Sequence, residues 1–292
     1  MAYELTYTLL EDDTYEVSGY TGTPDNVVIP SEYEGKVVTS IGYAAFQLCS
    51  SLTSIEIPNS VTYIDNSAFS GCNSLTSVEI GNSVTSIDGY AFAYCSKLTT
   101  IVIPNSVAYI GIASFKGCTS LTNVTIGDSV THIDTNAFGN CTSLTSIVIP
   151  NSVKHIGMTV FASCQSLKNI IIGNGVTRID TYVFNDCNSL TSITLLSKTP
   201  PTLGDNPVNK NVKFYCYFSA LEEYKTATNW KNYADNFVGN DMAICFVISA
   251  IAQKQYFTTK EEVKNLEDKI GDIELALDSI IEIQNSLIGG AK

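Results

Sequence analysis

Cysteine and histidine are the residues of this chain best suited to chemistry, and both recur at a fixed step. Seven of the nine cysteines, Cys49, Cys72, Cys95, Cys118, Cys141, Cys164 and Cys187, stand 23 residues apart. Thiolates bind zinc from tight clusters such as Cys-x-x-Cys, or pair as disulfides in small oxidised scaffolds. A 23-residue step offers no such cluster. Each of the seven also stands three residues after a phenylalanine, and a free cysteine packs as a small hydrophobe. Reduced thiols packed in a core are the expectation, with Cys216 and Cys245 off the column and unassigned.

The two histidines, His132 and His155, are separated by the same 23 residues. If that step is one circuit of a stacked structure, they lie about 5 Å apart. Such a pair could respond to pH or give half of a metal site. Their column reads Tyr63, Ser86, Tyr109, His132, His155, Arg178 and supplies no third ligand. Ligand contact and plain surface both stay open for it, and no metal or cofactor is expected. No GxSxG, HExxH, phosphate loop or dinucleotide fingerprint occurs, so no catalytic residue is assigned and no enzyme is expected.

Whatever these side chains do, a repeat positions them. Phenylalanine recurs at 46, 69, 92, 115, 138, 161 and 184, leucine at 52, 75, 98, 121, 144, 167 and 190, and Ile or Val from Ile55 to Ile193 at the same step. A period in the twenties is the signature of a leucine-rich solenoid. Within a unit, residues 52–57 alternate apolar and polar and read as a strand. Pro58-Asn59-Ser60 turns the chain, residues 61–64 form a second short strand, and Asp65-Asn66-Ser67 caps one helical turn. The fold class is therefore a β-rich leucine-rich-repeat solenoid with two short strands and one helical turn per coil. Seven coils make a rod on the order of 34 Å long.

Residues 1–37 read as an N-terminal β cap, 38–198 as the seven repeats and 199–240 as a C-terminal cap around Trp230. Residues 241–257 are an apolar connector, and 258–290 a coiled-coil helix. Val263, Leu266, Ile270, Ile273, Leu277, Ile280, Gln284 and Leu287 step by three and four through nearly four heptads. Isoleucine at d leans to three or more strands, so a homo-oligomer, preferably a trimer, is expected. A helix folded back on the end of the rod is the competing reading.

The net charge of −13 is uneven: −7 over residues 1–36, −2 over 37–198, −1 over 199–253 and −3 over 254–292. No basic stripe exists to neutralise phosphates, which argues against nucleic acid. The longest apolar run, residues 242–252, is shorter than the roughly 20 residues a bilayer requires, so membrane insertion is not expected. The opening MAYELTYTLLEDD shows no secretory signal, so export by another route or release by lysis is expected.

On the long strand the outward column reads Glu56, Glu79, Val102, Thr125, Val148, Ile171, Thr194. It drifts from acidic to apolar, and an exposed patch of Val102, Val148 and Ile171 would mark an interaction site. The competing reading is the ordinary β-branched preference of strands. Glu56, Glu79, Val102, Thr125, Val148 and Ile171, with Tyr63, Tyr109, His132, His155 and Arg178, are the candidate ligand-contact residues.

The units SLTSIEIPNSVTYIDNSAFSGC (51–72) and SLTSIVIPNSVKHIGMTVFASC (143–164) resemble the BspA-like leucine-rich-repeat family. The stretch TYEVSGYTGTPDNVVIPSEYEGKVVTSIG and the closing KTPPTLGDNP and ALEEYKTATNW extend the resemblance over about residues 1–239. It implies a non-enzymatic surface or adhesion role with protein or glycan ligands. ALDSIIEIQNSLIGG (276–290) resembles endings of phage and prophage structural proteins. The expectation is a multimeric recognition protein, virion-associated or displayed on a bacterial surface; the alternative is a structural decoration scaffold with no specific ligand.

Overall fold

The computed structural model describes residues 3–205, 208 and 211–241. The chain opens with strands β1 (Tyr3–Leu9) and β2 (Tyr15–Gly22), which pair antiparallel, followed by β3 (Asn26–Val28), β4 (Glu32–Tyr33) and β5 (Lys36–Ile41). From there each coil contributes a longer and a shorter strand. The longer ones are β6 (Ser54–Glu56), β8 (Ser77–Glu79), β10 (Thr100–Ile103), β12 (Asn123–Ile126), β14 (Ser146–Ile149), β16 (Asn169–Ile172) and β18 (Ser192–Leu195). The shorter ones are β7 (Tyr63–Ile64), β9 (Ser86–Ile87), β11 (Tyr109–Ile110), β13 (His132–Ile133), β15 (His155–Ile156), β17 (Arg178–Ile179) and β19 (Thr202–Leu203). Strand β20 (Lys213–Cys216), helix α1 (Leu221–Thr226) and β21 (Phe237–Gly239) close the rod.

The short strands stack in one continuous parallel ladder from β5 to β19, extended at its start by β2 and β1. The register steps by 23, as in Tyr109↔His132 and His132↔His155. The core is one stack of repeated side chains. Phe46, Phe69, Phe92, Phe115, Phe138, Phe161 and Phe184 overlap with centroids 5.0 to 6.4 Å apart and ring planes within 12°. Tyr20 of β2 lies on Phe46 at 5.5 Å and begins the stack, so the N-terminal strands supply an off-period substitute for the repeat's phenylalanine. At the other end Trp230, Tyr224, Phe214 and Phe237 pack together, and Trp230 Nε1 donates to the Pro201 carbonyl at 2.7 Å.

The arc of each coil, expected as a helical turn, is instead a run of i+3→i bonded turns, such as Ala68 N to Asp65 O and Cys72 N to Phe69 O, with no helix in it. Left-handed residues punctuate it at two columns, Ala44, Ser67, Tyr90, Ala113, Asn136, Thr159 and Tyr182, and Leu48, Gly71, Tyr94, Gly117, Asn140, Ser163 and Asp186. Those residues turn the arc so that its backbone N–H groups also reach the next coil, as Phe69 N does to Ala91 O at 2.7 Å. The arc thus adds a third line of bonds along the rod.

The long strands are joined differently. They form three separate ladders, β3-β6-β8, β10-β12 and β14-β16-β18-β20-β21. The turn column alternates Pro58, Gly81, Pro104, Gly127, Pro150, Gly173 before ending on Leu196, so in this column the period is two coils. A Cβ on Gly127 would stand 2.5 Å from the Pro104 carbonyl oxygen, and one on Gly173 2.6 Å from the Pro150 carbonyl carbon. Each glycine therefore sits directly against the proline turn before it. Proline has no N–H to offer the coil before it, and both breaks fall ahead of a proline coil, at β8/β10 and β12/β14.

Candidate functional site

The outward face of the long strands carries the site, and its side chains are exposed or covered according to their place along the rod. Glu56, Glu79 and Thr125 are exposed and Val102 is 61% exposed. Val148 is half-buried. Ile171 and Thr194 are only 6% and 4% exposed, which corrects the expected apolar patch of Val102, Val148 and Ile171. The reason is a local cover: Leu196 and Tyr217 pack on Ile171 and Val148 in a small second cluster outside the main core.

Leu196 also forms one wall of a groove of about 510 Å3. Val102, Thr125 and Val148 line it together with the turns Pro104-Asn105, Gly127-Asp128 and Pro150-Asn151, and Asn82 at its edge. The groove spans both breaks in the long-strand ladder. Its asparagines are held in place: Asn105 Oδ1 accepts from Asp128 N, and Asn151 Oδ1 from Asn174 N, each at 2.9 Å. Leu196, Asn105, Asp128 and Asn151 were not expected at the site. The Pro/Gly alternation in the turn column was the available signal for the turns, and Leu196, which takes that column's next place 23 residues after Gly173, was the signal for the closed end.

The other candidate residues lie on the short-strand ladder. Here the column residue reaches an aspartate of the next coil, 25 residues on. Tyr63 Oη donates to Asp88 Oδ2 at 2.6 Å, Tyr109 Oη donates to Asp134 Oδ2, and His155 Nε2 pairs with Asp180 Oδ2 at 2.9 Å. Arg178 Nε donates to Asp180 Oδ1 at 2.6 Å. His132 faces a coil where Gly157 replaces the aspartate, and its Nδ1 sits 2.9 Å from Thr131 Oγ1. The His132 and His155 rings meet edge to face with centroids 6.0 Å apart. Burial first, then the Asp134 bond, pushes Tyr109 up to about 12. Burial alone would raise the Asp134 carboxyl, but bonds from Tyr109 and Thr135 outweigh it and hold the group below its usual value. The column thus acts as a cross-coil brace, and only the exposed His132 and Arg178 project from it.

Among the described residues the cysteines are buried and unpaired to one another. Each of Cys72, Cys95, Cys118, Cys141, Cys164 and Cys187 donates its thiol to the carbonyl of the phenylalanine 26 residues earlier, at 3.0 to 3.3 Å. Burial pushes the Cys118 thiol up to about 12, which makes it a poor nucleophile. Cys216 is buried as well, and Cys245 lies outside the described residues. Among the described residues no three of His, Cys, Asp and Glu come together as a metal site, and no helix is long and apolar enough to cross a membrane. The heptad residues Val263, Leu266, Ile270, Ile273, Leu277, Ile280 and Leu287 lie outside the described part too.

Parallel strands stacked at a 23-residue step around leucine, isoleucine and phenylalanine columns, with a cap at each end, define a leucine-rich-repeat solenoid. The chain belongs to the BspA-type leucine-rich-repeat family, whose repeat region matches residues 25–144 and 85–214 in six copies. Among solved structures it is similar to a leucine-rich-repeat protein of T. pallidum, with 29% identity, a TM-score of 0.54, and 68% of this chain and 83% of that one covered. It is also similar to a leucine-rich cell surface protein of Faecalibacterium prausnitzii A2-165, at 28% identity and TM-score 0.48, covering 71% and 73% of the two chains. No curated protein matches it. The family suggests a surface protein-binding or adhesion role.

Proposed function

We propose that this is a non-enzymatic recognition protein that presents the outward face of its long strands to a protein or glycan on a cell surface. The observation supporting this reading is the groove between Val102, Thr125, Val148 and Leu196. It opens on a column that changes between coils, from Glu56 to Val148, while the columns that do not change are buried and hold the rod together. Its aliphatic and amide lining suits docking. We further read residues 258–290 as an oligomerisation segment, a trimer favoured, and the assembled rods as part of a phage or prophage particle or of a bacterial surface.

Binding of the full chain to bacterial cells and to a glycan array tests the first part. Val102→Asp and Val148→Asp are expected to weaken binding at least about tenfold, which corresponds to about 1.4 kcal/mol. Undiminished binding in both would sink the assignment of this face. Light scattering tests the second part, by comparing the full chain with one ending at Asn240. Equal mass per chain in the two would end the oligomer reading.

A further inference from the structure

The groove has a direction. Toward the C-terminal end it is stopped by Leu196, which with Tyr217 covers Ile171. Toward the N-terminal end the same outward column continues as Glu79 and then Glu56, both exposed. With neighbouring strands about 4.8 Å apart, those carboxylates stand about 5 and 10 Å beyond Val102. No lysine or arginine lines the groove, and Asp128 is at its rim. The chain as a whole carries −13. Its lining also holds no aromatic ring, the platform on which a sugar would stack.

We propose that the groove takes an extended segment of a partner protein, seating an aliphatic side chain between Val102 and Val148 and directing a lysine or arginine toward Glu79 and Glu56. This rests on the recognition reading above and narrows it from protein or glycan to a basic–aliphatic peptide. The anchor sits one strand further on, about 10 and 14 Å from the two carboxylates, and an extended chain rises about 3.3 Å per residue, so the cation stands about three to four residues from it. The anchor gains from leaving water among Val102, Val148 and Leu196, and the carboxylates set the direction and favour encounter with basic partners.

The test uses the full chain against an immobilised combinatorial peptide library, with a glycan array and intact bacterial cells probed in parallel. Selection is expected to enrich Leu, Ile or Val with Lys or Arg about three to four places away. Val148→Asp is expected to weaken the selected peptide at least about tenfold. The paired change Glu56→Lys and Glu79→Lys, on exposed positions that packing does not constrain, is expected to reverse the preference from basic to acidic peptides. Selected peptides without a basic residue, or an unchanged preference in the double variant, overturn the proposal. A glycan whose capture Val148→Asp abolishes overturns it while leaving recognition by this face intact. The same holds if no peptide is selected but Val148→Asp still abolishes cell binding. Cell binding indifferent to Val102→Asp and Val148→Asp overturns both readings together.

Discussion

Asp180 is shared between two coils' worth of partners: His155 Nε2 lies 2.9 Å from its Oδ2, and Arg178 Nε donates to its Oδ1 at 2.6 Å. The Asp180 side chain is well covered, while Arg178 is mostly in solvent. Asp180→Ala is therefore expected to cost about 1–2 kcal/mol, because it leaves a part-buried imidazole without its acceptor. Arg178→Ala is expected to cost about 0.5 kcal/mol or less, as exposed pairs do. Urea midpoints of the two single variants and His155→Ala, closed into a double-mutant cycle, check the order; an Arg178 effect larger than that of Asp180 would refute it.

The thiol column predicts weakness in alkali. Burial raises Cys118 and Cys187 to about 12, against about 8.5 in an unfolded chain. With the folded value above the unfolded one, the stability is fully present below about pH 8.5 and lost as pH rises toward 12. Each such thiol is expected to remove about 1.4 kcal/mol per pH unit in that window. Urea denaturation under reducing conditions at pH 8, 9 and 10 measures it, and a midpoint that does not move would contradict the burial of these groups.

Gly127→Ala should show how closely the coils are paired. The added methyl would meet the Pro104 carbonyl at 2.5 Å, and that neighbour is backbone, unable to step aside. A loss of about 2–3 kcal/mol is expected, at the upper end of what overpacking costs. Amide exchange should quicken in β10 and β12 first. Protection there equal to that of the unaltered chain would show that the coils have slack.

Thr159 occupies the left-handed region at φ 53°, an unfavourable place for a β-branched residue. Thr159→Gly is expected to stabilise the rod by about 1 kcal/mol by relieving that strain, less the entropy a glycine brings. A fall in the urea midpoint would mean that the Thr159 hydroxyl, which donates to the Met158 carbonyl at 2.7 Å, outweighs the strain.

The columns that bury the core were legible in the sequence because a solenoid's core is nearly one-dimensional: Phe69 meets Phe46 and Phe92 and little else that is not its own coil. A fixed period therefore reports contact directly. Ile171 was misjudged as exposed for the complementary reason. What covers it is Leu196, an apolar side chain where the turn column otherwise holds proline or glycine, and Tyr217, which belongs to no column, so its burial is set by a departure from the repeat. The thiol bonds to the phenylalanine carbonyls escaped notice because a buried cysteine reads as apolar, whatever its hydrogen does. Alternation of Pro58, Gly81, Pro104 and Gly127 was visible in the letters, but its meaning depends on a backbone approach that letters do not give.

That alternation also limits how a gene for such a rod can change length. Removing one coil by recombination would set two proline turns, or two glycine turns, on top of each other. A proline turn would then lie on another proline turn, where only a hydrogen fits, or a glycine turn on another glycine turn. Duplication or loss of 46 codons restores every glycine to its place over a proline, so length variants of this lineage should differ by pairs of coils.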